Sequence, residues 1–244
     1  MFQRSFRKLA GFRSVGIALI VFLATNILVF LVLSVRPDLV EWLRLSADRP
    51  WGIVTSAFTH VDFYHIANNV EGFILAALLF LSINLSSRRA VRRRVSRQFL
   101  LLVFVAGIGA NLLEYPLALA SPWDASWGAS GIVYGALGIA LSAAVQTIPT
   151  HVKFIAKERR RWVGKPRRWG VLRFDRRSLR TFPSYLSLSL VASILIMLVF
   201  DAGGFLNVAP NVDVFAHGVG FLLGFIGFTA LHLVGRKRAK YKSR

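Results

Sequence analysis

Three apolar stretches of this chain begin with residues that together could hydrolyse an amide. Ser130 opens one of them, in WGASGIVYG at 127–135. His217 lies about one turn into another, in DVFAHGVG. His65 and Asn69 sit in the first two turns of a third, in FYHIANNVEG, four residues apart and so on one face of a helix. A serine hydroxyl becomes a useful nucleophile when a base takes its proton, and neutral histidine is the usual base. Attack on a carbonyl creates an oxyanion, which needs donors already in place. Asn69 and His65 are suitable donors. So is the backbone N–H of Ser130, because the first amides of a helix have no intrahelical partner.

Other residues fit supporting roles. Asp213 lies one turn before His217 and could orient the base, although a dyad without an acid is equally consistent. Tyr134, one turn after Ser130, could pack against the His217 ring, although on its own it reads as a core residue. Gly128, Gly131, Gly135 and Gly138 alternate at spacings of three and four, and Gly220, Gly224 and Gly227 do much the same. Small residues so spaced let helix backbones approach closely in lipid. Packing of these two faces would bring Ser130 and His217 together, and Gly128 and Gly131 would let a substrate backbone reach the serine.

Competing chemistries fail on the residues. The chain has no cysteine, which excludes disulfides, thiol nucleophiles and Cys-based metal sites. His60 and His65 lack the i, i+4 spacing of a helical zinc site and enclose no glutamate. The G-x-S-x-G elbow of soluble hydrolases would need glycine where Ile132 stands. No phosphate-binding glycine loop is present. Neither a metal nor a cofactor is expected.

The elements that must position these groups are membrane helices. The chain is 55% hydrophobic and only 17% charged, which is too apolar for an ordinary soluble domain of 244 residues. Its apolar residues fall in six blocks, at about 15–35, 63–85, 98–119, 130–149, 184–201 and 213–234. Blocks of roughly 20 apolar residues cross about 30 Å of hydrocarbon as helices. The first is too long for a signal-peptide core and lacks a following cleavage site, so it reads as a retained helix. No repeat or flexible linker divides residues 1–244, which read as a single polytopic domain of an integral, multi-pass protein, with the cell membrane as the expected location.

The net charge of +20 invites a nucleic-acid reading, but 28 of the 31 Lys and Arg residues fall in four segments. These are the N-terminus, the 86–97 connection, the basic 150–183 loop and the 235–244 tail. With six spans all four share one side, as the positive-inside rule requires of a cytoplasmic face. Both termini are thus expected in the cytoplasm, and nucleic acid is not an expected partner. The arginines of the 150–183 loop, interleaved with Trp162, Trp169 and Phe174, suit contact with anionic lipid. In this topology Ser130, His217, His65 and Asn69 share one depth near the outer surface. Polar groups at such depth normally face the protein interior or a water-filled cavity and mark function.

These motifs resemble those of the rhomboid intramembrane serine proteases. GASG at 128–131, AHGVGFLLG at 216–224 and HIANN at 65–69 match the family's serine, histidine and H-x-x-x-N signatures in order. TSAFTHVDFYHIANN at 55–69, which includes His60, is also similar to the family's approach to its second helix. The resemblance covers about residues 51–231. It implies an all-α bundle of six transmembrane helices, with Ser130 as nucleophile, His217 as general base, and His65 and Asn69 lining the oxyanion hole. The implied substrates are membrane proteins, cut in a transmembrane segment near its outer end; the alternative is a catalytically silent relative that binds such segments. One departure is Trp51-Gly52, where many members carry Trp-Arg.

Overall fold

The computed structural model describes residues 10–85, 87–120, 126–160, 178–200, 202–205 and 213–241. Six long helices organise them: α1 (Arg13–Val35), α2 (Phe63–Asn84), α3 (Arg89–Ala120), α4 (Ser130–Arg160), α5 (Ser178–Phe200) and α6 (Val214–Tyr241). All except α5 contain a segment long and apolar enough to cross a membrane. The apolar segment described in α5 is shorter, at Ser184–Ile194. No strand occurs among the described residues, only isolated bridges such as Leu45 with Ser126.

The helices outrun their apolar blocks. α3 begins at Arg89 rather than 98, α4 continues to Arg160, and α6 continues to Tyr241. The 150–183 segment and the 235–244 tail, expected as loop and tail, are therefore partly helical. Ala, Lys, Glu and Arg are good helix formers, so an apolar block marks the part of a helix suited to lipid and not the helix's own ends. Trp162, Trp169 and Phe174 lie outside the described residues.

α4 is the central element and packs against α2, α3, α5 and α6, with its most extensive contact along α6. That seam is glycine-lined. A Cβ at Gly220 would overlap the carbonyl of Gly131, one at Gly224 the carbonyl of Gly135, and one at Gly138 the carbonyl of Phe221. Beside this seam, aromatic rings fill the centre. Phe22 stacks on Phe73 at 4.0 Å, and Phe80 meets Phe99 at 4.7 Å and Phe228 edge-on at 5.8 Å. By contrast Ile20, Leu28, Leu31 and Val35 of α1 are exposed, as a lipid-facing surface requires.

The connection between α1 and α2 folds on itself. Arg49 pairs with Glu41 and Asp48, donates to the Glu41 carbonyl and lies over the Trp42 ring. Trp51 stacks on Trp42 and donates its indole N–H to the Trp42 carbonyl at 2.6 Å. Gly52 is buried against the backbone of Arg44 and Leu45, where a Cβ would come within 2.5 Å of the Arg44 carbonyl oxygen. Position 52 thus has no room for an arginine in this packing, and Arg49 braces the connection instead.

Candidate active site

The site is assembled where α2, α4 and α6 begin. Two of these helices start alike. Asp62 is extended and accepts the His65 N–H at 2.7 Å, which caps α2. Asp213 accepts the Ala216 N–H at 2.8 Å, which caps α6. In both helices a carboxylate satisfies an amide that would otherwise lack a partner. α4 differs, because the residue before Ser130 is Ala129, which has no side-chain oxygen to offer. The Ile132 and Val133 amides bond the Ala129 carbonyl at 3.0 and 3.1 Å, and the amides of Ser130 and Gly131, at the very start of the helix, have no acceptor within it.

The segment leading into Ser130 is tied down by four hydrogen bonds from four places. The Leu45 N–H donates to the Ser126 carbonyl at 3.0 Å, and the Gly128 N–H donates to the Ser56 carbonyl at 2.8 Å. The Ala129 N–H points at His60 Nε2 at 3.4 Å. The Ser126 hydroxyl donates to Asp213 at 2.7 Å. Ser56 is itself anchored, since its Oγ accepts from Asn111 Nδ2 at 3.0 Å, while the same amide donates to the Ile53 carbonyl at 3.1 Å. Gly128 has a φ of 124°, a backbone conformation that favours glycine, and a Cβ there would strike the His65 ring at 2.7 Å.

His217 is buried and lies flat against Tyr134, with ring centroids 4.3 Å apart and planes 12° from parallel. Because Tyr134 is one turn after Ser130 on α4, the imidazole is held beside the helix face that carries the serine. Gly131 and Gly220 meet backbone to backbone at the same level. Asn69 is buried on α2, and its Nδ2 lies 3.0 Å from His60 Nε2. His65 is half-buried, packs on Gly128 and stands edge-on to His60 at 4.9 Å.

Of the residues expected at the site, His217 meets Tyr134, Gly220 meets Gly131 and His65 packs on Gly128, while Gly224 meets Gly135 further along the seam. The Asp213 carboxylate accepts from the Ala216 N–H and from the Ser126 hydroxyl, and it also bonds the Glu114 carboxyl. It caps the base's helix and ties that helix to the serine's approach. The sequence reading gave no part to Ser56, Asn111 or Ser126. It noted His60 without a role, yet His60 is fully buried at the centre of the site. Burial first, then the neighbouring His65, lowers its pKa from the ordinary value to about 4, against the pull of the Phe58 carbonyl and Asp62. It is neutral at physiological pH.

Fold and site together define an integral multi-pass membrane protein whose serine and histidine are carried on packed helices. The family model described as Rhomboid domain matches residues 47–163, which supports membership of the rhomboid family, whose members are generally serine proteases. That match includes His60, His65, Asn69 and Ser130 and ends before α6, so the contact of His217 with Tyr134 adds information that the match does not carry. No curated protein and no solved structure matches the chain.

Proposed function

We propose that this protein is an intramembrane serine endopeptidase of the cell membrane. It has six spans and cytoplasmic termini, and it cuts transmembrane segments of other membrane proteins near their outer ends. The observation that carries this reading is the His217 ring stacked on Tyr134, one turn from Ser130, on helices whose glycines meet backbone to backbone.

His217 takes the Ser130 proton as Oγ attacks the scissile carbonyl carbon. The oxyanion accepts from the Ser130 N–H, Asn69 and His65. His217 then returns the proton to the leaving amine, and water, deprotonated by the same ring, releases the acyl group from Ser130. Tyr134 keeps the ring in plane for both transfers. Glycine at 128 and 131 leaves room for an unwound substrate backbone beside the serine. No cofactor takes part. The basic 150–183 segment rests on anionic lipid at the cytoplasmic surface.

The test is cleavage of single-span model substrates by the protein reconstituted in phospholipid vesicles, together with labelling by a fluorophosphonate. Ser130→Ala and His217→Ala should each lower turnover by about 10⁴-fold or more, as loss of a nucleophile or its base does elsewhere. Labelling should disappear in Ser130→Ala. Cleavage that persists in Ser130→Ala overturns the assignment. A wild-type protein that binds the segments, cuts none and takes no label is a silent relative.

A further inference from the structure

His60 is fully buried beside the segment that leads into Ser130. Its Nε2 faces two partners, the Ala129 N–H at 3.4 Å and the Asn69 side-chain amide at 3.0 Å. A backbone N–H is only ever a donor, so Nε2 must present its lone pair and the ring proton must sit on Nδ1. The same lone pair decides the orientation of Asn69, because only its NH₂ end can face an acceptor. One N–H of that amide is thereby engaged by His60, and the other keeps a fixed direction. The charged and titratable neighbours are His65, edge-on at 4.9 Å, and Asp62, which is engaged in capping α2.

We propose that His60 is a positioning residue of the catalytic site: as a neutral acceptor it fixes the Asn69 amide and the Ala129 backbone, and so aims the oxyanion donors on either side of Ser130. This rests on the protease reading above. Without His60, Asn69 is free to rotate its amide and to present oxygen where the oxyanion forms. The segment before Ser130 also loses one of its four ties.

Two measurements on the full-length protein test this. In the first, kcat and KM are measured for one single-span substrate. His60→Leu should lower kcat about 10- to 100-fold, somewhat less than outright removal of a donor, with KM within about twofold of wild type. His60→Gln, which keeps an acceptor oxygen, should recover part of that loss. The double variant His60→Leu/Asn69→Ala should be slower than Asn69→Ala alone by clearly less than the loss seen in His60→Leu, because the part of His60's effect that passes through Asn69 is already gone. In the second, nitrogen NMR of ¹⁵N-histidine-labelled wild-type protein, assigned by comparison with His60→Gln, should show His60 neutral with its proton on Nδ1.

An unchanged kcat in His60→Leu, losses that multiply in the double variant, or a proton on Nε2 would each overturn the proposal. The protease reading fails differently, through activity that survives Ser130→Ala or a wild-type protein that neither cuts nor labels. In that event the tautomer alone decides whether His60 is the acceptor.

Discussion

The two halves of the α4–α6 seam differ in what meets their polar groups. In the half away from Ser130, the Ser142 and Thr229 hydroxyls bond each other at 2.8 Å, and Gln146 Nε2 reaches Ser142 at 2.8 Å. Thr229 also donates to the Phe225 carbonyl one turn back. These side chains bond one another inside the seam, which is how polar groups hold helices together where water is absent. In the half that carries Ser130, the polar groups are met by segments from outside the seam. Ser126 reaches Asp213 from the α3–α4 connection, and His60 reaches Ala129 and Asn69 from the approach to α2. A polar cluster that closes on itself serves cohesion. One assembled from separate segments is held in place while keeping donors for something else.

Three comparisons of variants probe this contrast. The largest effect is expected from Gly224→Val, whose side chain overlaps the Gly135 carbonyl and drives the helices apart. Overpacking of this kind costs about 1–3 kcal/mol, and the displacement should slow fluorophosphonate labelling at least about 100-fold, since misplacement of about 1 Å has that effect on positioned groups. Gly218→Ala, with nothing within 4 Å of the added methyl, is the control and should label at the wild-type rate. Equal rates in the two variants would show that close packing does not position Ser130 against His217.

A smaller effect is expected from Asp213→Ala, which removes both the α6 cap and the tie to Ser126. Loss of the cap should cost about 1 kcal/mol in thermal unfolding. Labelling should also slow several-fold. Ser126→Ala keeps the cap and should slow labelling nearly as much with little change in melting temperature. If only Asp213→Ala is slow, capping is the residue's whole contribution. The smallest effect belongs to the other half of the seam. Ser142→Ala with Thr229→Val should lower stability by about 0.6 kcal/mol per interhelical bond and leave labelling unchanged. A drop in labelling there would show that the two halves are coupled.

Legibility in the sequence followed the range of the interaction. Apolar blocks and glycine spacing announce membrane helices and their close-packed faces, because both depend on residues a turn or two apart. The ends of α3, α4 and α6 were missed because apolarity stops where lipid-compatible sequence stops, whereas the helix continues through arginines and lysines. What the Asp213 carboxylate touches was not legible, because a carboxylate one turn before a histidine is equally placed to cap the helix, and its partner Ser126 is 87 residues away.

The sequence by itself determined that the chain is a bundle of membrane helices. It also brought Ser130, His217, His65 and Asn69 to the starts of those helices, since hydropathy and local spacing are written residue by residue. Only the tertiary structure decided what each polar group touches. His60 meets Ala129 across 69 residues, Asn111 meets Ser56 across 55, and Gly52 packs on the backbone of Arg44 and Leu45. Such contacts depend on how separate segments dock. Docking is set by shape and by the need to satisfy buried donors and acceptors, which no short window of sequence contains.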